Sequence, residues 1–176
     1  MKENLLEVKG LYKVVDLIRF RETKGVRFDI MPKELLKDVA GVDRVIHESN
    51  AVSPGSIGDV ERPWYMHPHQ GDNLLVLHGE RHVDLYSVEH GKVESFVVTN
   101  NEIYKNGELL FKGPAMLVWP PYVFHRVESK EHGSASLNFA YRAQEFDVDH
   151  NFSIYDVDVN SGEYKVIRVG KEDQFN

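Results

Sequence analysis

The strongest constraint on this chain is a train of short β-like runs separated by turn signals. From residue 42 onward, runs of strand length recur at 42–47, 73–78, 81–86, 93–99, 116–119, 124–128 and 135–141. Ser53-Pro54-Gly55-Ser56-Ile57-Gly58 reads as a loop, and Gly79-Glu80 is expected to turn a hairpin between 73–78 and 81–86. Asn106-Gly107 predicts a second hairpin between 103–104 and 109–111, and Asn160-Ser161-Gly162 a third between 154–159 and 163–169. Many short strands at this spacing specify a β-sandwich or a barrel. There is no β–α–β alternation and no Gly-x-x-x-x-Gly-Lys-Ser/Thr loop, so a doubly wound nucleotide-binding fold is not expected.

The first forty residues read differently. Leu11, Val14, Val15 and Ile18 fit helical spacing, though their β-branching also suits a strand. Val26, Phe28 and Ile30 alternate as in a short strand, and Pro32 is placed to open a helix over 32–39 that Gly41 would close. The organisation expected is one domain: an N-terminal α/β extension (1–41), a β-barrel (42–145), and a C-terminal hairpin and tail (146–176).

Charge and composition exclude several function classes. With 21 Lys+Arg against 28 Asp+Glu the net charge is −7, which repels phosphate backbones and offers no polybasic membrane anchor. The chain has no cysteine, so disulfides, thiolate catalysis and Cys-type metal sites are out. The N-terminus lacks a signal-peptide stretch and no run is long enough to span a bilayer. A cytoplasmic protein with neither nucleic-acid nor membrane partners is the expectation. Asp156-x-Asp158-x-Asn160 imitates the start of a calcium loop, but Ser161 stands where its glycine belongs and Ile167 where its glutamate belongs.

The chemistry concentrates in Arg62-Pro63-Trp64-Tyr65-Met66-His67-Pro68-His69-Gln70-Gly71-Asp72-Asn73. On extended chain, residues two apart face the same side, so His67 and His69 could aim at one metal ion. His125, following Pro120-Pro121-Tyr122-Val123-Phe124, is a third imidazole on a distant strand. His47, His78, His82, His90, His132 and His150 are expected at the surface or in turns.

These two segments resemble, in order, the two motifs of the cupin superfamily. The first is His67-x-His69, three residues, Asn73, five residues, Gly79; the second is Gly113, six residues, Pro120-x-Tyr122-x-x-His125, three residues, Ser129. The resemblance spans roughly 42–142 and implies a mainly β fold, the cupin jelly-roll β-barrel or double-stranded β-helix. It maps His67, His69 and His125 onto the metal-binding histidines of the family. Three positions depart: Asn73 replaces the usual glutamate ligand, Tyr122 the glycine, and Ser129 the asparagine of the second motif. Asp72 is one residue out of register and would need a bulge to turn inward.

A three-histidine site accepts most divalent first-row ions, so Fe, Zn, Ni or Mn is the implied cofactor, with identity open. Tyr65, Trp119, Tyr122 and Asn138 are the candidate pocket residues, and Tyr65, Tyr122 and Glu128 the candidate proton-transfer groups. The resemblance also implies a homodimer. The leading expectation is a metal-dependent enzyme on a small molecule, of oxygenase or isomerase type. The alternatives are a non-catalytic module binding a sugar or other small molecule, and a metal-independent sugar-nucleotide epimerase. The last needs a His–Asp pair inside the barrel.

Overall fold

The computed structural model describes residues 6–175. The elements, in order, are β1 (Glu7–Val8), β2 (Tyr12–Asp16), β3 (Ile18–Thr23), β4 (Val26–Ile30), α1 (Lys33–Leu36), β5 (Val39–His47), β6 (Val52–Ser53), β7 (Trp64–Tyr65), β8 (Gln70–Gly79) and β9 (Arg81–Tyr86). There follow β10 (Glu94–Val98), β11 (Glu102–Lys105), β12 (Glu108–Lys112), β13 (Ala115–Trp119), β14 (Phe124–Glu128), β15 (Ser134–Arg142), α2 (Val148–Asn151), β16 (Ile154–Val157), β17 (Tyr164–Arg168) and a 3-10 turn at Gly170–Asp173.

Two antiparallel sheets close on each other as a jelly roll. One runs β1-β2-β13-β8-β15-β5; the other runs β12-β11-β10-β9-β14-β7-β16-β17, with β6 beside β14. Strands with one face on a core alternate, and β9 shows it: Arg81, Val83 and Leu85 are buried while His82 and Asp84 are half-exposed. Leu74, Val76, Val83, Leu85, Phe96 and Leu117 fill the core between the sheets.

The ambiguous N-terminal stretch is strand. β2 pairs with β13 and so belongs to the barrel's own sheet, where the β-branched Val14 and Val15 suit the pleat. The expected helix over 32–39 shrinks to the single turn α1, because β5 already begins at Val39 and draws the chain into the sheet beside β15. β3 and β4 form a separate two-stranded ribbon.

The hairpin expected at Gly79-Glu80 is instead a corner. β8 pairs with β13 and β15, whereas β9 pairs with β10 and β14 in the opposite sheet. Strands that each bury an alternating face can follow one another by crossing the core edge as readily as by pairing, and sequence cannot separate the two. Gly79 holds a left-handed φ of 71°, and a Cβ there would overlap the Gly133 carbonyl oxygen. The hairpins at Asn106-Gly107 and 158–163 form as expected, the first with both turn residues at positive φ. The hairpin of β16 and β17 also rules out a helix–loop–helix calcium site there.

Candidate active site

Three strands bring the chemistry together. β7 lies between β14 and β16, with Tyr65 opposite His125 on one side and Ile154 on the other. The chain then leaves regular strand over 66–69 and re-enters the sheet as β8. The rings of His67 and His125 lie 4.7 Å apart, flanked by Tyr65 at about 6 Å from each, by Phe152 at 5.0 Å from His67 and by Trp119 at 5.3 Å from His125.

Hydrogen bonds fix which nitrogen of each imidazole donates. His67 Nδ1 is 2.7 Å from the Asn151 carbonyl oxygen, and His125 Nδ1 is 3.1 Å from the Val123 carbonyl oxygen. A carbonyl only accepts, so each ring donates from Nδ1, and in its neutral form carries the lone pair on Nε2. Burial, and then the neighbouring His67, pushes the His125 pKa well below its ordinary value, against the pull of Asp72 and the Val123 carbonyl. His125 is therefore a neutral base at neutral pH. Burial raises the Tyr65 phenol, more than a hydrogen bond with Ser53 lowers it, so Tyr65 stays protonated and can donate.

Asp72 completes the group. Its Oδ2 is 3.7 Å from His67 Nε2 and has no hydrogen-bond partner among the described residues. Its Oδ1 accepts from Gln70 Nε2 at 2.9 Å and Asn138 Nδ2 at 2.7 Å, which fixes the carboxylate plane. Gln70 is held in turn by Arg142 Nε at 3.1 Å.

The carboxylate at the site is thus Asp72, and no bulge is needed to bring it in. β8 turns Gln70, Asp72 and Leu74 toward the cavity, and the odd-numbered Asn73 elsewhere. Asn73 donates its amide to the Phe139 carbonyl and does not line the cavity. The donor atoms of His67, Asp72 and His125 all lie within 4.8 Å of one another; His69 is not part of that group. Pro68 and His69 form a bend, so the two-residue rule does not apply, and the His69 backbone is tied to Asn151 and Ala143.

Of the other candidates, Tyr65, Trp119 and Asn138 line a cavity of about 160 Å³ inside the barrel. Tyr122 does not; the residue is 60% exposed. Its backbone holds a left-handed φ of 65° where the cupin motif has glycine, and its N–H donates to the His67 carbonyl. Glu128 is paired with Arg62 and Lys130 away from the cavity, and these contacts hold its carboxyl down to about 2.

Sequence reasoning missed His47 and Arg81. His47 is buried at the end of β5, not at the surface, and burial followed by the charge of Arg81 lowers its pKa to about 4. Arg81 opens β9 with its side chain inside the barrel. Both line the cavity with Ser136. The inward parity of β9 was a usable signal for Arg81; nothing local marked His47.

His67, Asp72 and His125 together could hold a divalent metal ion. Two imidazole lone pairs and an unpartnered carboxylate oxygen are a suitable donor set, and both rings are anchored at Nδ1 as ligating histidines usually are. Two imidazoles and one carboxylate are a different set from the three histidines that the motif resemblance implied.

No protein-family model matches the sequence, and no curated protein does. Solved structures do resemble the fold. A dTDP sugar isomerase from Desulfovibrio desulfuricans G20 is 15% identical, with a TM-score of 0.57, covering 80% of this chain and 83% of its own. QdtA, a sugar 3,4-ketoisomerase from Thermoanaerobacterium thermosaccharolyticum solved with TDP, is 12% identical at 0.54, over 84% and 85%. The RmlC epimerase of Mycobacterium tuberculosis is 11% identical at 0.56, over 84% and 70%. The fold of this chain is the cupin-type jelly roll. No helix among the described residues is long and apolar enough to cross a membrane.

Proposed function

We propose that this protein is a sugar-nucleotide isomerase or epimerase that moves a proton at the carbon beside a carbonyl, without needing a metal. The observation that carries the reading is the His67–Asp72 pair, whose Nε2 and Oδ2 face each other at 3.7 Å inside the barrel. The similarity in fold to dTDP-sugar isomerases supports the substrate class.

His67 takes the proton from the substrate carbon on Nε2, while the Asn151 carbonyl keeps Nδ1 protonated and the ring fixed. Asp72 stabilises the imidazolium as it forms, and Gln70 and Asn138 hold that carboxylate in place. Tyr65, whose phenol burial keeps protonated, donates toward the developing enolate oxygen in this reading. Return of the proton to the former carbonyl carbon, with the hydroxyl proton of the neighbouring carbon passing back to Tyr65 as that carbon becomes the carbonyl, gives the isomer; return to the opposite face of the original carbon gives the epimer. His125, neutral and 4.7 Å from His67 between ring centroids, is the candidate group for that second transfer.

The test is solvent deuterium incorporation, followed by proton NMR, into a panel of nucleotide-linked ketosugars that includes TDP-4-keto-6-deoxyglucose. Exchange by the parent protein and none by His67→Ala supports the reading. No exchange into any ketosugar by a folded, metal-free or metal-loaded parent sinks it.

A second reading is favoured by the donor geometry of His67, Asp72 and His125. A divalent ion bound there would act as a Lewis acid on the substrate carbonyl. The residues would then hold the ion in place of shuttling the proton. We also propose a homodimer, supported by the β3–β4 ribbon, which exposes Ile18, Phe20, Val26 and Ile30. Light scattering on Phe20→Asp beside the parent checks it.

A further inference from the structure

The far end of the barrel cavity holds a buried cation with no anion beside it. Arg81 is 3% exposed. Its Nε donates to Ser134 Oγ at 2.5 Å and its Nη2 to the Val45 carbonyl at 3.1 Å. Both acceptors are neutral, and among the described residues no carboxylate pairs with this guanidinium. Elsewhere the protein pairs its enclosed charges: Glu94, 1% exposed, contacts Lys92, Lys105 and His90. A buried charge left without a counter-ion is strongly disfavoured, so one uncompensated at the wall of a cavity points to an anionic occupant.

Two further groups beside it are also unsatisfied. His47 Nδ1 and Ser136 Oγ are buried and have no hydrogen-bond partner among the described residues. Both residues line the same cavity as Arg81, with Val45, Leu74 and Val127 forming apolar wall. The two acids on the cavity, Asp43 and Asp72, are both within hydrogen-bond reach of Asn138 and make no ion pair with Arg81. One end of the cavity is therefore cationic and rich in donors.

The distance from this end to the candidate base follows from strand register. His125 lies opposite Leu85, and Arg81 stands four residues further along β9, about 13 Å of extended chain. The Arg81 Nε contacts Ser134 and its Nη2 the carbonyl of Val45, which lies opposite Ser136, two residues nearer to the Asn138 that holds Asp72. A group bound to it sits a few carbons from the atom presented to His67 and Asp72.

We propose that Arg81, Ser136 and His47 form a carboxylate subsite, and that the sugar this protein acts on is a sugar acid, with a carboxylate where an ordinary hexose has its terminal hydroxymethyl group. This rests on the reading of the cavity as the substrate site. A carboxylate oxygen would accept from the free Nη1 of Arg81 and from the Ser136 hydroxyl, and His47 would supply a third donor through its Nδ1–H. The apolar walls would contact the sugar ring between the two polar ends. Arg81 and Ser136 are then specificity residues: they select the acid over the neutral sugar and take no part in proton transfer.

The test compares pairs that differ only in that group: D-glucuronate with D-glucose, D-galacturonate with D-galactose, D-mannuronate with D-mannose. Binding is measured by ligand-observed NMR and by chemical-shift change at the His47 ring. We expect at least one acid to bind tenfold or more tightly than its neutral partner. Ser136→Ala should cut that preference threefold or more, and Arg81→Gln should remove it. Should Arg81→Gln fail to fold, Ser136→Ala and His47→Gln carry the comparison.

No preference for any acid overturns the subsite, as does a preference that these variants leave unchanged. The same acids, oxidised to their keto forms, are then followed for deuterium uptake. Preferred binding without uptake keeps the subsite and counts against the isomerase reading. Equal uptake into acid and neutral ketosugars keeps the isomerase reading and overturns the subsite.

Discussion

Nε2 of His67 lies 3.7 Å from Oδ2 of Asp72, and that oxygen has no hydrogen-bond partner among the described residues. The opposite nitrogen of the ring is tied to the Asn151 carbonyl, and the other carboxylate oxygen is tied to Gln70 and Asn138. Each partner is thus anchored on its far side and left free on the side facing the other. Such an arrangement preorganises a base and the charge that stabilises its protonated form.

Removing either partner should separate chemistry from binding. His67→Ala is expected to lower kcat for carbon–proton exchange by about 10²–10⁴-fold, the usual range for a general base. Asp72→Asn keeps the shape and loses the charge, so kcat should fall while KM changes little. Steady-state kinetics of deuterium uptake check both. An Asp72→Asn enzyme with full kcat would remove the carboxylate from the mechanism.

Metal loading gives a second expectation. If His67, Asp72 and His125 bind an ion, Tm should rise with added Fe, Zn, Ni or Mn, and Asp72→Ala and His125→Ala should each lose the rise. His69→Ala should keep it, because His69 lies outside the group. Elemental mass spectrometry with thermal scans reads this. A rise that depends on His69 would restore the three-histidine set.

Stability should depend on pH in two separate windows. His47 falls from its ordinary 6.5 to about 4 on folding, so the unfolded chain binds the extra proton between those values. Its contribution is complete above pH 6.5 and is lost as pH falls toward 4, by about 3 kcal/mol at most. Glu94 moves from 4.5 to about 2: burial pushes it up, but hydrogen bonds from Lys92, Asn106 and His90 and the charge of Lys105 outweigh burial. Its contribution is complete above pH 4.5 and is lost toward 2. Urea melts across pH 3–8 should show a slope between 4 and 6.5 that His47→Gln reduces and Glu94→Gln does not, the buried His125 supplying the remainder in the same window. Glu94→Gln should destabilise at neutral pH by about 2 kcal/mol, since it takes the charge from a buried acceptor that His90, Lys92 and Asn106 donate to.

The sheet-to-sheet corner should tolerate no side chain. Gly79 and Gly133 both hold left-handed φ values, 71° and 62°. A Cβ at Gly79 would overlap the Gly133 carbonyl oxygen, and one at Gly133 the His47 carbonyl oxygen. Gly79→Ala and Gly133→Ala should each cost about 3 kcal/mol or more, from backbone clash with strained φ. Gly91→Ala, also at positive φ but with open space around its Cβ position, should cost less. Chemical denaturation of the three variants gives the ranking.

How much was legible in the sequence differs from element to element. Strands β9 and β14 could be read residue for residue, because alternation and turn residues are local properties of one pleated segment. The hairpin at Asn106-Gly107 was legible for the same reason: the turn chemistry alone demands positive φ at both positions. His67 and His125 could be singled out because proline-flanked imidazoles in an ordered pair of motifs form a linear pattern.

The tertiary structure alone decided what stands beside those imidazoles. Parity along β8 turns Asp72 inward and Asn73 outward, and the bend at 68–69 takes His69 out of the group, both departures from motif spacing. Only closure of two sheets brings His47 from the end of β5 and Arg81 from the start of β9 to one cavity, where burial neutralises the first and leaves the second charged without an anion. Strand formation depends on neighbours a few residues away and is written in the sequence. Burial, charge pairing and the position of a lone pair depend on residues dozens of positions apart, which come into contact only when the barrel closes.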